Sequence, residues 1–156
     1  MTKMKPNKDI SASAVQQLRE ETGAGVMDCR KALIESGGDR EAAKKIIQKK
    51  GLSKVEKRAG RETGAGLVHS YIHNERIGVL LDLRAETDFV VRSEPFRTLA
   101  HELAMQIAAT DPVDVAALLK EPYIKDETRT VRDIVNDVIA KVGENISVNR
   151  FSRMEV

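Results

Sequence analysis

Three consecutive segments at the start of the chain carry apolar side chains at helical spacing. The first begins after Ser11 and ends at Gly23, the second ends at Gly37-Gly38, and the third ends at Gly51. Serine favours the position before a helix, and glycine favours the position after one. The pattern predicts a three-helix bundle over residues 1–51, with a core so small that it is only marginally stable alone.

The pattern becomes strand-like after residue 65. Residues 66–73 alternate weakly between apolar and polar side chains, and residues 76–85 form a second, partly continuous apolar segment. Asn74-Glu75 between them predicts a turn, so the two segments predict a β-hairpin. Residues 146–154 alternate cleanly and predict a third strand, with a bulge or a change of face expected at Phe151.

Helical patterns fill the space between the hairpin and the last strand. Pro95 stands in the first turn of a helix with a broad apolar stripe. A shorter helix is predicted over residues 113–120, and Thr130 can cap a final helix that ends at Gly143. This order predicts an α+β fold over residues 66–156, in which helices cover a three-stranded antiparallel sheet.

A basic linker, residues 52–65, which is either helical or extended, is predicted between the two domains. It overlaps a longer basic stretch, because residues 40–61 carry nine lysine or arginine residues and only two acidic ones, although the net charge of the chain is only +2. Such a stretch can bind nucleic acid or can be the solvated face of a helix. No aromatic residue lies within it to stack on bases, so nucleic-acid binding is the less favoured interpretation.

Two large apolar residues stand at places where partners are often bound. Phe89 lies in the segment 86–91, at the end of the second predicted strand, and Met27 lies at the start of the second predicted helix. Loops beside rigid elements commonly carry binding groups. Phe89 either packs under the sheet or is offered to a partner, and Met27 either fills a gap in the core or is exposed for adaptable contact.

Catalytic and metal-binding patterns are not evident. His101-Glu102 begins like the helix of a zinc protease, but Met105 stands where the second histidine is needed. Cys29 has no obvious activating neighbour and suits a small buried side chain. We therefore expect a binding protein rather than an enzyme, with no metal site and no cofactor.

The expected location is the cytoplasm. Cys29 is the only cysteine, which excludes a disulfide within the chain and is typical of a reducing compartment. Residues 1–8 are basic but are not followed by an apolar segment, so no secretory signal is expected. No apolar stretch in the sequence is long enough to span a membrane.

Three segments, in order along the chain, match motifs of one known family. They are Thr22-Gly23-Ala24-Gly25-Val26-Met27-Asp28-Cys29-Arg30-Lys31-Ala32-Leu33, Thr87-Asp88-Phe89-Val90 and Lys141-Val142-Gly143-Glu144-Asn145-Ile146. They resemble the N-terminal, central and third motifs of elongation factor Ts. Together they frame nearly the whole chain, so the resemblance is specific.

The resemblance implies a guanine-nucleotide exchange factor for elongation factor Tu that does not itself bind nucleotide. In the family, an N-terminal module similar to ubiquitin-associated domains grips a helix of the Tu nucleotide domain. The Asp-Phe pair of the central motif enters that domain near the magnesium site. The matching partner-binding residues are Arg19, Val26, Met27, Thr87, Asp88, Phe89 and Val90.

The resemblance is to the compact members of the family, which implies a homodimer. Long members have two related core halves, whereas in compact members a second chain supplies the missing half. This chain has one half, and it is shortened further, because Glu121-Pro122-Tyr123 follows almost directly on Leu118-Leu119. The alternative is a ubiquitin-associated-type adaptor without exchange activity, which would not need the Thr87–Val90 motif.

Overall fold

The computed structural model describes residues 10–156 of the chain. Residues 1–9, which include the segment in which no secretory signal is expected, lie outside the described residues. The chain forms two compact units, Met1–Lys54 and Val55–Val156, each with its own hydrophobic core. Within residues 10–156, no helix has both the length and the apolar character needed to cross a membrane.

Three helices form the N-terminal part of the fold, as predicted. They are α1 (Ala12–Thr22), α2 (Val26–Glu35) and α3 (Arg40–Arg58). The Ser11 hydroxyl accepts a backbone hydrogen bond at 3.1 Å from the first turn of α1, and Gly23 ends that helix in the left-handed conformation with φ 67°. The buried side chains of this unit are Val15, Leu18, Cys29, Ala32, Leu33 and Ala43.

The predicted helix end at Gly51 was wrong. Helix α3 continues through Gly51 to Arg58, so residues 52–58 of the predicted linker are helical. A single glycine inside a helix costs only about 1 kcal/mol relative to alanine. The flanking residues are good helix formers, and Val55, one turn beyond Gly51, packs against the core of the second unit. This packing offsets the glycine penalty.

The second unit, all of which is described, contains the remaining elements. In chain order they are β1 (Ala65–His73), β2 (Ile77–Ala85), α4 (Asp88–Val91), α5 (Glu94–Thr110), α6 (Val115–Lys120), β3 (Pro122–Tyr123), β4 (Asp126–Thr130), α7 (Val131–Val142) and β5 (Ile146–Glu155). Strands β1, β2 and β5 form the predicted antiparallel sheet in that order. Strands β3 and β4 form a separate two-stranded sheet, which was not predicted because both strands lack apolar alternation.

Helices cover only one face of the three-stranded sheet, which confirms the α+β architecture. Phe96 on α5 is the largest fully buried side chain of the core between sheet and helices. The opposite face of the sheet carries exposed apolar side chains on each strand. Val68 on β1 is 69% exposed, Leu80 on β2 is 53% exposed and Met154 on β5 is 73% exposed.

A bulge interrupts the pairing of β2 with β5. Asp82 pairs with Arg150 and Leu83 pairs with Val148, so Asn149 is an extra residue on β5. The irregularity expected at Phe151 therefore lies two residues earlier. The bulge turns the Asn149 amide toward Asp82, and its Nδ2 donates a hydrogen bond to Asp82 Oδ2 at 2.8 Å.

Asp82 is a buried carboxylate with a full set of polar partners. Arg84 Nε donates to Oδ1 at 2.7 Å and Arg84 Nη2 donates to Oδ2 at 3.0 Å. Gly66 on the neighbouring strand allows this arrangement, because a Cβ there would lie 2.7 Å from both Leu83 O and Arg84 Cδ. The hydrogen bonds from Arg84, opposed by burial and assisted by Asn149, lower the pKa of Asp82 to about 2.

We expect Asp82→Asn to lower the free energy of unfolding at pH 7 by about 2 kcal/mol. A carboxyl with a lowered pKa in the folded state stabilises the fold at pH values above its unfolded pKa, near 3.8. That contribution disappears as the pH falls from this value to about 2. Urea unfolding followed by circular dichroism at pH 7 and pH 3 measures the difference between variant and natural sequence at each pH.

The matched control is Asp137→Asn, because Asp137 also pairs with an arginine, Arg129, but is 63% exposed. An exposed ion pair contributes little, so the control should change stability by less than about 1 kcal/mol. An equal loss for Asp82→Asn at pH 7 and pH 3 would contradict the role given to the ionised carboxylate.

The segment after α6 is fixed to α5 by the fully buried amide of Gln106. Its Nε2 donates to Glu121 Oε2 and to the carbonyl of Pro122, both at 3.1 Å, and its Oε1 accepts from the amide of Ile124 at 2.9 Å. All hydrogen-bonding atoms of the side-chain amide are therefore used, as burial demands. The contact fixes the chain at the position where the sequence is shortened.

Candidate partner-binding site

Phe89 is the most exposed aromatic side chain among the described residues, with 85% of its surface accessible. The next two residues, Val90 and Val91, are 4% and 6% exposed and belong to the hydrophobic core. All three lie in α4, a single helical turn that directly follows β2. The buried valines anchor the turn while Phe89 projects into solvent, so the alternative that places Phe89 under the sheet is excluded.

Hydrogen bonds at both ends fix the turn that carries Phe89. Thr87 is the N-cap, with φ −131° and ψ 153°, and its Oγ1 accepts from the amide of Val90 at 3.4 Å. At the other end, Ser93 Oγ donates to the carbonyl of Val90 at 2.6 Å. The turn between β2 and α5 is therefore held by a side-chain hydrogen bond at its start and another at its end.

The loop between α7 and β5 supports the turn that carries Phe89. Glu144, between α7 and β5, accepts two hydrogen bonds from Thr87: the amide donates to Oε2 at 3.0 Å and the hydroxyl donates to Oε1 at 2.7 Å. In the opposite direction, Glu86 Oε1 accepts from the amide of Asn145 at 2.7 Å. These contacts join residues 57 and 59 positions apart.

The role of Glu86, Glu144 and Asn145 was not predicted from the sequence. No local pattern links residues so far apart in the chain. The only indication in the sequence was the third motif, residues 141–146, for which the resemblance implies no particular role.

Asp88 is exposed beside Phe89, in the first turn of α4. Together with Phe89, Arg92 and Ser93 it lines a shallow, open depression on the surface. The predicted residues Thr87, Asp88, Phe89 and Val90 thus form one turn, in which two members hold the turn in place and two face solvent.

The remaining predicted residues lie in the first unit. Arg19 is exposed on α1, and Val26 and Met27 are 46% and 58% exposed at the start of α2. The alternative of Met27 as a core gap-filler is therefore wrong. Asp28, the next residue, is held by an ion pair with Lys54 on α3 at 2.9 Å, and this hydrogen bond lowers the pKa of the Asp28 carboxyl.

Four of the nine basic residues of the stretch 40–61 form ion pairs within the first unit. Its ion pairs are Arg40 with Glu21, Lys44 with Glu21 and Glu41, Lys50 with Glu35, and Lys54 with Asp28. Basic side chains engaged in this way are less available for phosphate contacts, which favours the interpretation of a solvated helix face.

The histidines form a contact of their own away from the Phe89 turn. His69 Nε2 and His101 Nδ1 lie 3.3 Å apart and share a hydrogen bond. Burial and the neighbouring His101 lower the pKa of His69, which favours its neutral form. Within residues 10–156, no group of three or more His, Cys, Asp or Glu side chains could hold a metal ion.

The comparison with a family model and the comparison with individual known proteins agree with each other. A family model described as "Elongation factor TS" matches residues 86–156. Elongation factor Ts of Coprothermobacter proteolyticus is 40% identical over 191 aligned positions, which cover 93% of this chain and 97% of that protein. Elongation factor Ts of Moorella thermoacetica is 43% identical over 193 positions, covering 94% and 95%.

A third relative is much longer. The chain is 40% identical to the chloroplastic polyprotein of EF-Ts from Oryza sativa subsp. indica, and the match covers 96% of this chain but only 17% of the polyprotein. The alignment with the Coprothermobacter protein spans 191 positions, which is 35 more than the 156 residues of this chain. That relative therefore carries at least this many residues without a counterpart here, consistent with a shortened core.

Proposed function

The chain belongs to the elongation factor Ts family, whose members act in translation elongation, and on this premise we propose that it accelerates GDP release from elongation factor Tu in the cytoplasm. The observation that carries the proposal is the 85% exposure of Phe89 on a turn whose next two side chains are buried. An aromatic side chain held rigidly in solvent leaves apolar surface in contact with water, and a partner can cover it.

In the proposed mechanism, Asp88 and Phe89 insert beside the magnesium and nucleotide site of elongation factor Tu. Only binding that is tighter to nucleotide-free Tu than to GDP-bound Tu speeds GDP release. The phenyl group provides this difference if it fits only after the Tu elements that hold magnesium and phosphate have shifted. Asp88 adds hydrogen bonds or electrostatic effects around it, while this chain binds neither nucleotide nor a cofactor and changes no covalent bond.

Arg19, Val26 and Met27 make the second proposed contact, with a helix of the Tu nucleotide domain. The exposure of all three side chains supports this role. Methionine adapts its shape to a partner surface, and arginine adds directional hydrogen bonds. This contact would supply affinity for both states of Tu, whereas the Phe89 contact would supply the difference between them.

The experiment that tests the function follows release of a fluorescent GDP analogue from elongation factor Tu by stopped flow, with excess unlabelled GDP. We expect the release rate to rise with the concentration of this protein and then to approach a plateau. Binding to Tu without any acceleration would support the adaptor alternative instead. If this protein neither binds elongation factor Tu nor accelerates GDP release, the proposed function is excluded.

We further propose that the chain acts as a homodimer through the open face of its sheet. The antiparallel register places Ile72, Gly78 and Met154 in one row across the three strands, and Ser70, Leu80 and Ser152 in the next. Three of these side chains are apolar and more than half exposed. A second copy presents the same rows, so two sheets packed face to face about a two-fold axis would cover each other's apolar side chains.

For this dimer we expect Leu80→Asp to yield a monomer under conditions in which the natural sequence is dimeric. Two facing sheets would bury the introduced carboxylate without a partner, which costs several kcal/mol. Sedimentation velocity over a concentration series measures the change. Val113→Asp is the control, because Val113 is 91% exposed outside the sheet and should leave the dimer intact. A natural sequence that stays monomeric throughout would refute the dimer.

A further inference from the structure

Two carboxylates cross-link the loop before α4 and the loop before β5. Glu144 accepts the amide and the hydroxyl of Thr87, and Glu86 accepts the amide of Asn145. Hydrogen bonds to an ionised acceptor are about twice as strong as neutral ones. The two loops therefore form one reciprocal contact, which lies immediately behind the turn that carries Phe89.

The Glu144 contact is transmitted to Phe89 through the Thr87 hydroxyl. Because this hydroxyl donates its hydrogen to Glu144 Oε1, its lone pairs are left to accept the amide of Val90. The resulting chain runs from Glu144 through Thr87 to Val90 and spans the residue that carries the exposed phenyl ring. A single helical turn is not stable alone, so external contacts decide how well α4 is ordered.

Glu144 is itself held between two rigid elements. Gly143 ends α7 in the left-handed conformation with φ 79°, and its amide donates to the carbonyl of Ile139 at 3.0 Å. Two residues further on, the buried Ile146 begins β5, where it pairs with Ala85 at the end of β2. The backbone at Glu144 is therefore fixed on both sides, and its carboxylate reaches Thr87 at the start of the Phe89 turn.

Asn145 connects the same loop to the segment after α3. Its Nδ2 donates to the carbonyl of Arg61 at 2.9 Å, and the Arg61 guanidinium lies 3.6 Å from Glu86 Oε1. Hydrogen bonds and an ion pair therefore join three segments next to the Phe89 turn: the loop before α4, the loop before β5 and the segment after α3.

From this geometry we infer that Glu144 is a positioning residue, which holds the Phe89 turn in its binding conformation through Thr87. The inference rests on the proposed function, because it concerns how the Phe89 site is prepared for elongation factor Tu. A wedge that is ordered before it meets its partner loses less conformational entropy on binding. Glu144 would therefore act on GDP exchange without touching Tu.

The first test is Glu144→Gln, which keeps the size of the side chain but removes the charge. Thr87 offers two donors to this group, and a glutamine amide has only one acceptor oxygen, so it cannot accept from both in this arrangement, and the bonds that remain are no longer made to a charged group. We expect the plateau rate of GDP release to fall about tenfold, with the N-terminal contact, and hence the concentration at half-plateau, little changed.

The matched control is Asp133→Asn at the opposite end of α7. Asp133 Oδ2 accepts the amide of Thr130 at 2.8 Å, so the control also removes a charged acceptor from a threonine amide. It should lower stability to a similar extent and leave exchange within about twofold. An equal loss of exchange in both variants would assign the effect of Glu144 to stability alone and overturn the inference.

A double-variant cycle separates positioning from an independent role. If Glu144 acts through Phe89, then Glu144→Gln should change GDP release by less than about twofold in a Phe89→Ala background. A tenfold loss in both backgrounds would mean that Glu144 acts separately from Phe89, and the inference would be wrong.

A readout without elongation factor Tu keeps this inference distinct from the proposed function. Amide hydrogen exchange of the free protein, followed by NMR, should show the Thr87 and Val90 amides losing protection in Glu144→Gln but not in Asp133→Asn. Unchanged protection would overturn the positioning role. If the natural protein fails to accelerate GDP release while this selective loss is seen, the proposed function fails but the positioning of the turn stands.

Discussion

Phe89→Ala is expected to slow GDP release from elongation factor Tu by about 30-fold or more at a fixed concentration of this protein, while leaving the free energy of unfolding nearly unchanged. Truncation of an aromatic anchor at an interface commonly costs about 2 kcal/mol or more. Phe89 is 85% exposed, so its removal takes almost nothing from the core of the free protein. Loss of function without loss of stability is the expected signature of a binding side chain.

Stopped-flow release of fluorescent GDP measures the rate, and urea unfolding of the same preparations measures stability. Val113→Ala is the control, because Val113 is also apolar and 91% exposed in the second unit but lies outside the Phe89 turn. Acceleration by Phe89→Ala equal to that of the natural sequence would move the exchange mechanism to the N-terminal contact or to the dimer.

The same substitution seven residues later should have the opposite result. Phe96→Ala is expected to lower the free energy of unfolding by about 3–5 kcal/mol, because it removes a fully buried ring and leaves a cavity. Phe96 lies in the stripe of α5 that packs against the sheet, among Leu99, Leu103 and Ile107. Its contribution is to stability, not to partner contact.

Urea unfolding at 25 °C, followed by circular dichroism, measures the effect of Phe96→Ala. Exchange should be retained by the fraction that remains folded, so the rate is compared after correction for that fraction. A loss of less than about 1 kcal/mol would show that the core around α5 closes over the cavity. A loss of exchange in a fully folded variant would show that Phe96 shapes the binding turn as well.

The fold followed from the sequence wherever periodicity and end residues agreed. Thr130 and Gly143 bracket the final helix, and the structure ends α7 at these positions with a capping box and a left-handed glycine. The predicted third helix is too short because the sequence shows the helix-ending tendency of Gly51 but not the tertiary packing of Val55, which favours continuing the helix. Strands β3 and β4 were missed because their side chains are mostly polar, and a buried amide on another helix fixes the adjoining chain.

The candidate site was only partly accessible from sequence. The Thr87–Val90 motif was found through resemblance, but periodicity could not decide the exposure of Phe89, since a single turn is too short to define a face. The exposure depends on Val90 and Val91, which occupy the core on the same turn. Glu144 was beyond reach because its contact with Thr87 arises only when β5 pairs with β2.

That strand pairing has a consequence for how the molecule assembles. The β1–β2 hairpin joins neighbours in sequence, whereas β2 and β5 join Ala85 to Ile146 and Ile77 to Glu155, so loop-closure entropy favours the hairpin as the earlier event. Glu144 and Asn145 immediately precede β5 and reach their partners only when that strand docks. A chain that has formed the hairpin alone would still lack an ordered Phe89 turn. We therefore expect the Phe89 turn to become ordered in the folding step that completes the sheet.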